Sequence, residues 1–256
     1  EGFRPGMGFV QRGGVQYAGG YVSFRPRPEK IPSVRQFEFR TDGNYLEARV
    51  ADPLLDGRAL DRTWQFSPLV EFQSGDRLGG LYRSRFERVT QDFLIAEREG
   101  VVIPAGDYQN TAAELNFSTF SGRRTSGFGL FNYGAFFDGR QKTLKNDITA
   151  QFSAHLSVNT NATLNRIRLP KNTFERTLWI TRVNYGLSPS LFGGALIQWN
   201  TETNDLDLNL RLDFIHTPGS DLFVVYNESL NTDRERETPR SNSRAGIVKL
   251  TYLFHF

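Results

Sequence analysis

Cysteine is missing from all 256 residues, which excludes a disulfide framework and any thiolate metal site. Long apolar runs are missing too. None approaches the roughly 18 residues that would mark a membrane-crossing helix, and no convincing amphipathic helix is legible anywhere. There is one methionine, and the three histidines, His155, His216 and His255, are scattered over turns and strand ends without a metal-ligand spacing. No His-Glu-x-x-His helix, Gly-x-Ser-x-Gly elbow or phosphate-binding glycine loop is present, so neither an enzyme nor a cofactor is expected. An excess of one charge is also lacking. The formal net charge is +3 with dispersed basic residues, which argues against nucleic acid as a partner. The chain opens on Glu1 with neither an initiator methionine nor a signal peptide, so a processed or longer protein is expected.

What remains is alternation. At the carboxy end Val248, Leu250, Tyr252, Phe254 and Phe256 share one parity, and Lys249, Thr251, Leu253 and His255 the other. A strand sends alternate side chains to opposite faces. The same period recurs along the chain. Leu206, Leu208, Leu210, Leu212 and Phe214 alternate with Asp205, Asp207, Asn209, Arg211 and Asp213. Leu144, Ile148, Ala150 and Phe152 oppose Lys145, Asp147, Thr149 and Gln151, and Leu78, Tyr82 and Phe86 oppose Arg77, Arg83, Arg85 and Glu87. Thirteen segments read as strands: 15–25, 33–50, 58–73, 76–90, 107–121, 124–138, 142–153, 156–167, 173–187, 190–202, 205–216, 221–231 and 243–256. A soluble sheet with this much apolar face needs a second covering layer, and no helices are available to supply one. Strands of about ten residues with one apolar and one polar face instead fit an all-β, antiparallel transmembrane β-barrel over 1–256. A mean hydropathy of −0.45 fits a barrel whose other face is wet.

The connections sort by length. Gln73 to Asp76, Ser121 to Arg124, Ser153 to His155, Leu187 to Ser190 and Thr217 to Ser220 are short turns, with Arg25 to Ser33 the longest of that class. The alternate connections include 91–106 and 232–242, long and polar or charged. Outer-membrane barrels have short periplasmic turns and longer outer loops. On the apolar parity, Phe37, Phe72, Phe152, Tyr185, Phe214 and Phe254 sit toward the short-turn end, and Trp64, Phe86, Phe137 and Trp199 toward the long-loop end, as two interfacial girdles require. Pro68 predicts a bulge or irregular pairing. Asp42-Gly43-Asn44 reads as a turn that would change the strand count.

Several stretches together resemble a known family. They are Gly8 to Arg12, Phe72 to Asp76, Ile103 to Tyr108, Pro218 to Glu228 and Lys249 to Phe256. In this order they are similar to the carboxy-terminal barrel of a bacterial family of unknown function whose members carry an amino-terminal carbohydrate-binding family 9-like domain. The resemblance implies that Glu1 lies inside a longer protein. Its motifs are turns and strands, so it implies a fold and no catalytic residue. The ladder Tyr252, Phe254, Phe256 resembles the assembly signal of such barrels, which implies the barrel-assembly machinery as a partner during biogenesis.

Charges avoid hydrocarbon, so the charged parity is expected to face a lumen. The candidates are Arg77, Arg83, Arg85, Glu87, Glu114, Lys145, Asp147, Arg176, Arg182, Asp205, Asp207, Arg211, Asp213 and Lys249. Their mixed sign predicts weak ion selectivity. The expected protein resides in the outer membrane of a Gram-negative-type bacterium, in contact with its lipid and with envelope proteins. Its expected function is a porin-like or ligand-gated route for small solutes, glycan-derived ones among them. The alternatives are a docking barrel without transport and, behind it, an outer-membrane hydrolase. Thirteen crossings put the two chain ends on opposite sides, whereas single-chain bacterial barrels have even strand numbers. This 13-strand unit is therefore expected to be part of a larger barrel.

Overall fold

A computed structural model describes residues 14–49, 55–96, 98–233 and 241–254. Among them are strands only: β1 (Val15–Phe24), β2 (Val34–Ala48), β3 (Ala59–Phe72), β4 (Arg77–Val89), β5 (Phe93–Ala96), β6 (Val101–Ile103), β7 (Gly106–Ser118), β8 (Thr125–Phe136), β9 (Gly139–Gln151), β10 (Leu156–Arg168), β11 (Thr173–Ser188), β12 (Leu191–Asn200), β13 (Asp205–Thr217), β14 (Ser220–Asn231) and β15 (Ser241–Thr251). Thirteen of them form one antiparallel sheet in chain order, and β5 and β6 pair separately. These thirteen coincide with the thirteen alternating segments to within a few residues. β1 and β15 end the order, and no pairing that would close the sheet is seen among the described residues.

The register follows the alternation. Leu210 stands between Ala195 and Tyr226, and Leu212 between Gly193 and Val224, while Asn209 faces Leu196 and Asn227. The turn before β14 explains its own sequence. Pro218 presets one φ, and Gly219 follows at φ 86, a value that a side chain would strain. A Cβ at Gly219 would also strike Leu253.

Three details differ from the sequence reading, and a fourth, at Pro68, agrees with it. Asp42-Gly43-Asn44 is not a turn: Gly43 is paired on both sides, with Gly20 and Trp64, so the strand count stands. Pro68 brings the irregular pairing its missing N–H predicts, without a bulge. It pairs in register with Phe39, and on the β4 side the ladder skips Ser67 and Pro68 without a shift, Gly80 leaving room for the ring. β15 ends at Thr251, short of the expected Phe256, because its partner β14 begins at Ser220. The Ser220 hydroxyl takes the Leu253 N–H at 3.0 Å in place of a ladder bond. The alternate connections are not uniformly long: β8 and β9 are joined by Phe137 and Asp138 alone, and β10–β11 and β12–β13 by 169–172 and 201–204.

The chain divides into two compact units. One comprises Glu1–Asn116, Phe131–Lys142 and Ile167–Phe174; the other comprises Phe117–Leu130, Thr143–Arg166 and Glu175–Phe256.

Candidate functional site

The charged parity of each hairpin is a hydrogen-bonded surface. In the first unit Arg85 reaches Asp61 at 2.6 Å and Glu87 at 3.2 Å, Arg83 donates to Gln65 at 3.2 Å, and Arg77 lies 3.8 Å from Glu71. Glu114 accepts from Asn116 at 3.1 Å. In the second unit Asp147 accepts from Asn159 at 2.8 Å and Asn161 at 3.2 Å, and Asn159 also bonds Thr149. Thr143 bonds Asn165 at 2.7 Å. Asn209 bonds Asn227 directly across β13 and β14, and Asp205 accepts from Asn242 at 3.1 Å. Cross-strand pairs of this kind hold a sheet face without an apolar core.

The other sequence candidates fall on the same parity as their neighbours. Arg182 lies on the β11 face opposite Leu196, which in turn faces Asn209. Arg176 shares that parity. Lys145 shares β9 parity with Asp147 and Thr143, and Asp207 and Arg211 flank Asn209. Lys249 pairs with Phe223, which also faces Asp213. Asp213 stands between Phe192 and Phe223 with Oδ1 buried and unpartnered among the described residues. Near the short-turn end, Gln151, Ser157, Asn184, Phe192 and Arg211 line a recess of about 260 Å³, where His155 Nδ1 meets the Gly186 carbonyl at 2.6 Å. Among the described residues no three His, Asp or Glu side chains converge as metal ligands would.

At the long-loop end of the first unit this parity changes character. The 91–106 connection, read from sequence as a polar loop, folds into the β5–β6 hairpin. Ala96, Val101 and Ile103 are buried there, Ile103 to 1 % exposure, together with Leu169 and Phe174. Tyr108, Phe136, Phe137 and Ile167 pack around them. Tyr108, Phe136, Ile167 and Phe174 occupy the charged parity of their strands, so the hairpin covers the same face that carries ion pairs elsewhere. Phe137 does not belong to the outward girdle as expected. It sits in the two-residue turn at φ 52, a strained value for an aromatic residue, with its N–H bonded to Asn110 at 2.8 Å. Its ring lies edge-on to Phe93, Tyr108 and Phe136, and packing holds the strained turn in place. Sequence reasoning missed this hairpin because Phe93 to Ile103 is short and interrupted by charged residues. The signal was the apolar run Val101-Val102-Ile103.

The opposite parity is exposed and apolar: Trp64, Tyr82, Phe131, Leu144, Ile148, Phe152, Trp199, Leu210 and Phe214. Tyr252 and Phe254, from the terminal ladder, lie just beyond β15 with ring centroids 4.6 Å apart; Phe256 lies outside the described residues. Charged pairs interrupt this parity, and sequence reasoning had placed none of them; one is Arg166 with Glu175 at 3.3 Å. Arg88 forms a two-pronged contact with Asp107 at 2.7 and 2.6 Å. Glu228 binds Arg244 at 2.6 Å and accepts from Tyr226 at 2.7 Å. The chain matches no family model, and no curated protein or solved structure matches it either. What is shown is an all-β protein built on one large antiparallel sheet of thirteen strands.

Proposed function

We propose that this chain forms a transmembrane β-barrel, or part of one, in the outer membrane of a Gram-negative-type bacterium, and that it provides a gated route for small solutes. The carrying observation is the contrast between the two parities. An exposed apolar side suits hydrocarbon, while the other side carries hydrogen-bonded and ion-paired Arg, Asp, Glu, Asn and Thr side chains that suit a hydrated lumen. The turn-and-strand resemblance to barrels that follow carbohydrate-binding family 9-like domains supports the same reading. The β5–β6 hairpin lies on the lumenal parity at the long-loop end, where it acts as a constriction.

Planar-bilayer recording tests this. The intact protein gives small conductance steps with weak ion preference, and replacing 93–103 by a Gly-Ser linker enlarges them. Strong preference for one ion sign contradicts the mixed-charge lumen. One observation favours a second reading. The apolar packing of the hairpin suits a sealed barrel that docks other envelope proteins, and absence of conductance with and without the hairpin selects that reading.

A further inference from the structure

On the apolar parity, several charged residues find carboxylate or guanidinium partners within the protein: Arg88 has Asp107, Arg166 has Glu175, and Arg244 has Glu228, while Arg62 lies over the Phe86 ring. One cluster of several cations has no carboxylate partner among the described residues. Arg140 and Lys142, at the start of β9, share the parity of Leu144 and Ile148, and Arg168, at the end of β10, shares that of Leu164. All three are exposed. Arg140 and Lys142 gather around Tyr133, near the end of β8. Arg140 donates to the Tyr133 hydroxyl at 2.6 Å, its guanidinium lies 5.8 Å from the ring centroid, and Lys142 Nζ lies 5.6 Å from it. The backbone of Arg168 abuts Gly139, beside Arg140. Among the described residues none of the three cations meets a carboxylate within ion-pair distance.

Two cations on one aromatic ring and a third on the adjoining strand, none with a carboxylate partner among the described residues, make an anion-seeking cluster on an apolar face. We propose that this cluster binds the phosphate of a lipid headgroup in the leaflet at the long-loop end. The inference rests on the membrane-barrel reading. Along their own strands, exposed apolar residues lie two to four positions from each cation: Leu144 after Arg140 and Lys142, and Leu164 before Arg168. Along their strands the cations therefore end the apolar run, which in the membrane reading is headgroup depth. Guanidinium forks match phosphate oxygens two at a time, and Lys142 adds a point charge. Three positive charges suit a phosphomonoester, with its charge near −2, better than a singly charged diester.

The full chain, folded into phosphatidylcholine nanodiscs containing equal amounts of diphosphorylated and dephosphorylated lipid A, is released and its retained lipids are counted by native mass spectrometry. The native protein enriches the phosphorylated form about tenfold or more. R140Q/K142Q/R168Q abolishes the enrichment, whereas R140K/R168K retains most of it. Lys145→Gln, on the same strand but the opposite parity, leaves it unchanged. Enrichment that survives the triple glutamine variant overturns the assignment, as does its absence in the native protein. Complete displacement by an equal concentration of inorganic phosphate also overturns it, by making the site a soluble-anion site. Insertion is read separately by heat-modifiable migration. A protein that inserts without enrichment defeats this inference alone, and one that does not insert defeats the membrane reading as well.

Discussion

The same strand parity supports two unlike environments. In β9 and β10 it carries Asp147, Thr149, Asn159 and Asn161, joined side chain to side chain by hydrogen bonds and half-exposed. At the long-loop end of the first unit it carries Tyr108, Phe136, Ile167 and Phe174, packed against a hairpin whose Ala96 and Ile103 are each 1 % exposed. Parity decides which face a side chain joins. It does not decide what covers that face. Where water covers it, polar pairs hold neighbouring strands together. Where chain folds back over it, burial takes over, at roughly 25 cal/mol per Å² of apolar surface.

The contrast can be tested by substitution, the largest effect first. Ile103→Ala opens a cavity in the only fully apolar cluster found among the described residues, and should cost about 2–5 kcal/mol of local stability. Amide exchange should then accelerate across 93–103 and leave 205–217 protected; equal acceleration in both segments would show that the hairpin is no separate packing unit. Leu210→Arg should cost about 2–4 kcal/mol in lipid refolding if that residue faces the bilayer midplane, and Asn209→Arg much less. Equal tolerance removes the distinction between the faces. Asp147→Ala strips two amide donors of their acceptor on the half-exposed polar face and should cost about 0.5–1.5 kcal/mol in the same refolding assay. A larger loss than Ile103→Ala gives would reverse the comparison. Arg85→Ala, breaking half-exposed ion pairs with Asp61 and Glu87, should change stability by less than about 1 kcal/mol. A denaturant midpoint that falls further would mean that this part of the face is shielded from water.

The strands were legible because their period is two and each apolar run is bounded by turn residues. The Leu206 to Phe214 alternation alone fixes the face of β13, and register then carries it to Tyr226 and Val224. The hairpin was not legible, since the burial of Val101 and Ile103 depends on Leu169 and Phe174, far away in sequence. Phe137 was assigned to the wrong face for the same reason: a turn of two residues took it out of the alternation. Glu228 was hidden because its strand has apolar residues on both parities, with Phe223 and Val225 opposite Leu222 and Val224, so period two gave no contrast there. Only the pairing of β14 with β13 and β15 puts Glu228 opposite Leu208 and Arg244. The cation cluster at Tyr133 needed side-chain positions, because sequence cannot say which cations lack a carboxylate nearby.

The central claim is that one parity of this sheet meets lipid and the other meets water. The native chain has no cysteine, so a single introduced cysteine carries a nitroxide label to a unique position. A label moved one residue at a time from 205 to 214, with the protein in lipid vesicles, reports accessibility to oxygen and to a water-soluble nickel complex. The account predicts oxygen maxima at 206, 208, 210, 212 and 214 and nickel maxima at the residues between them. Nickel access at every position, or a profile without a period of two, would contradict it.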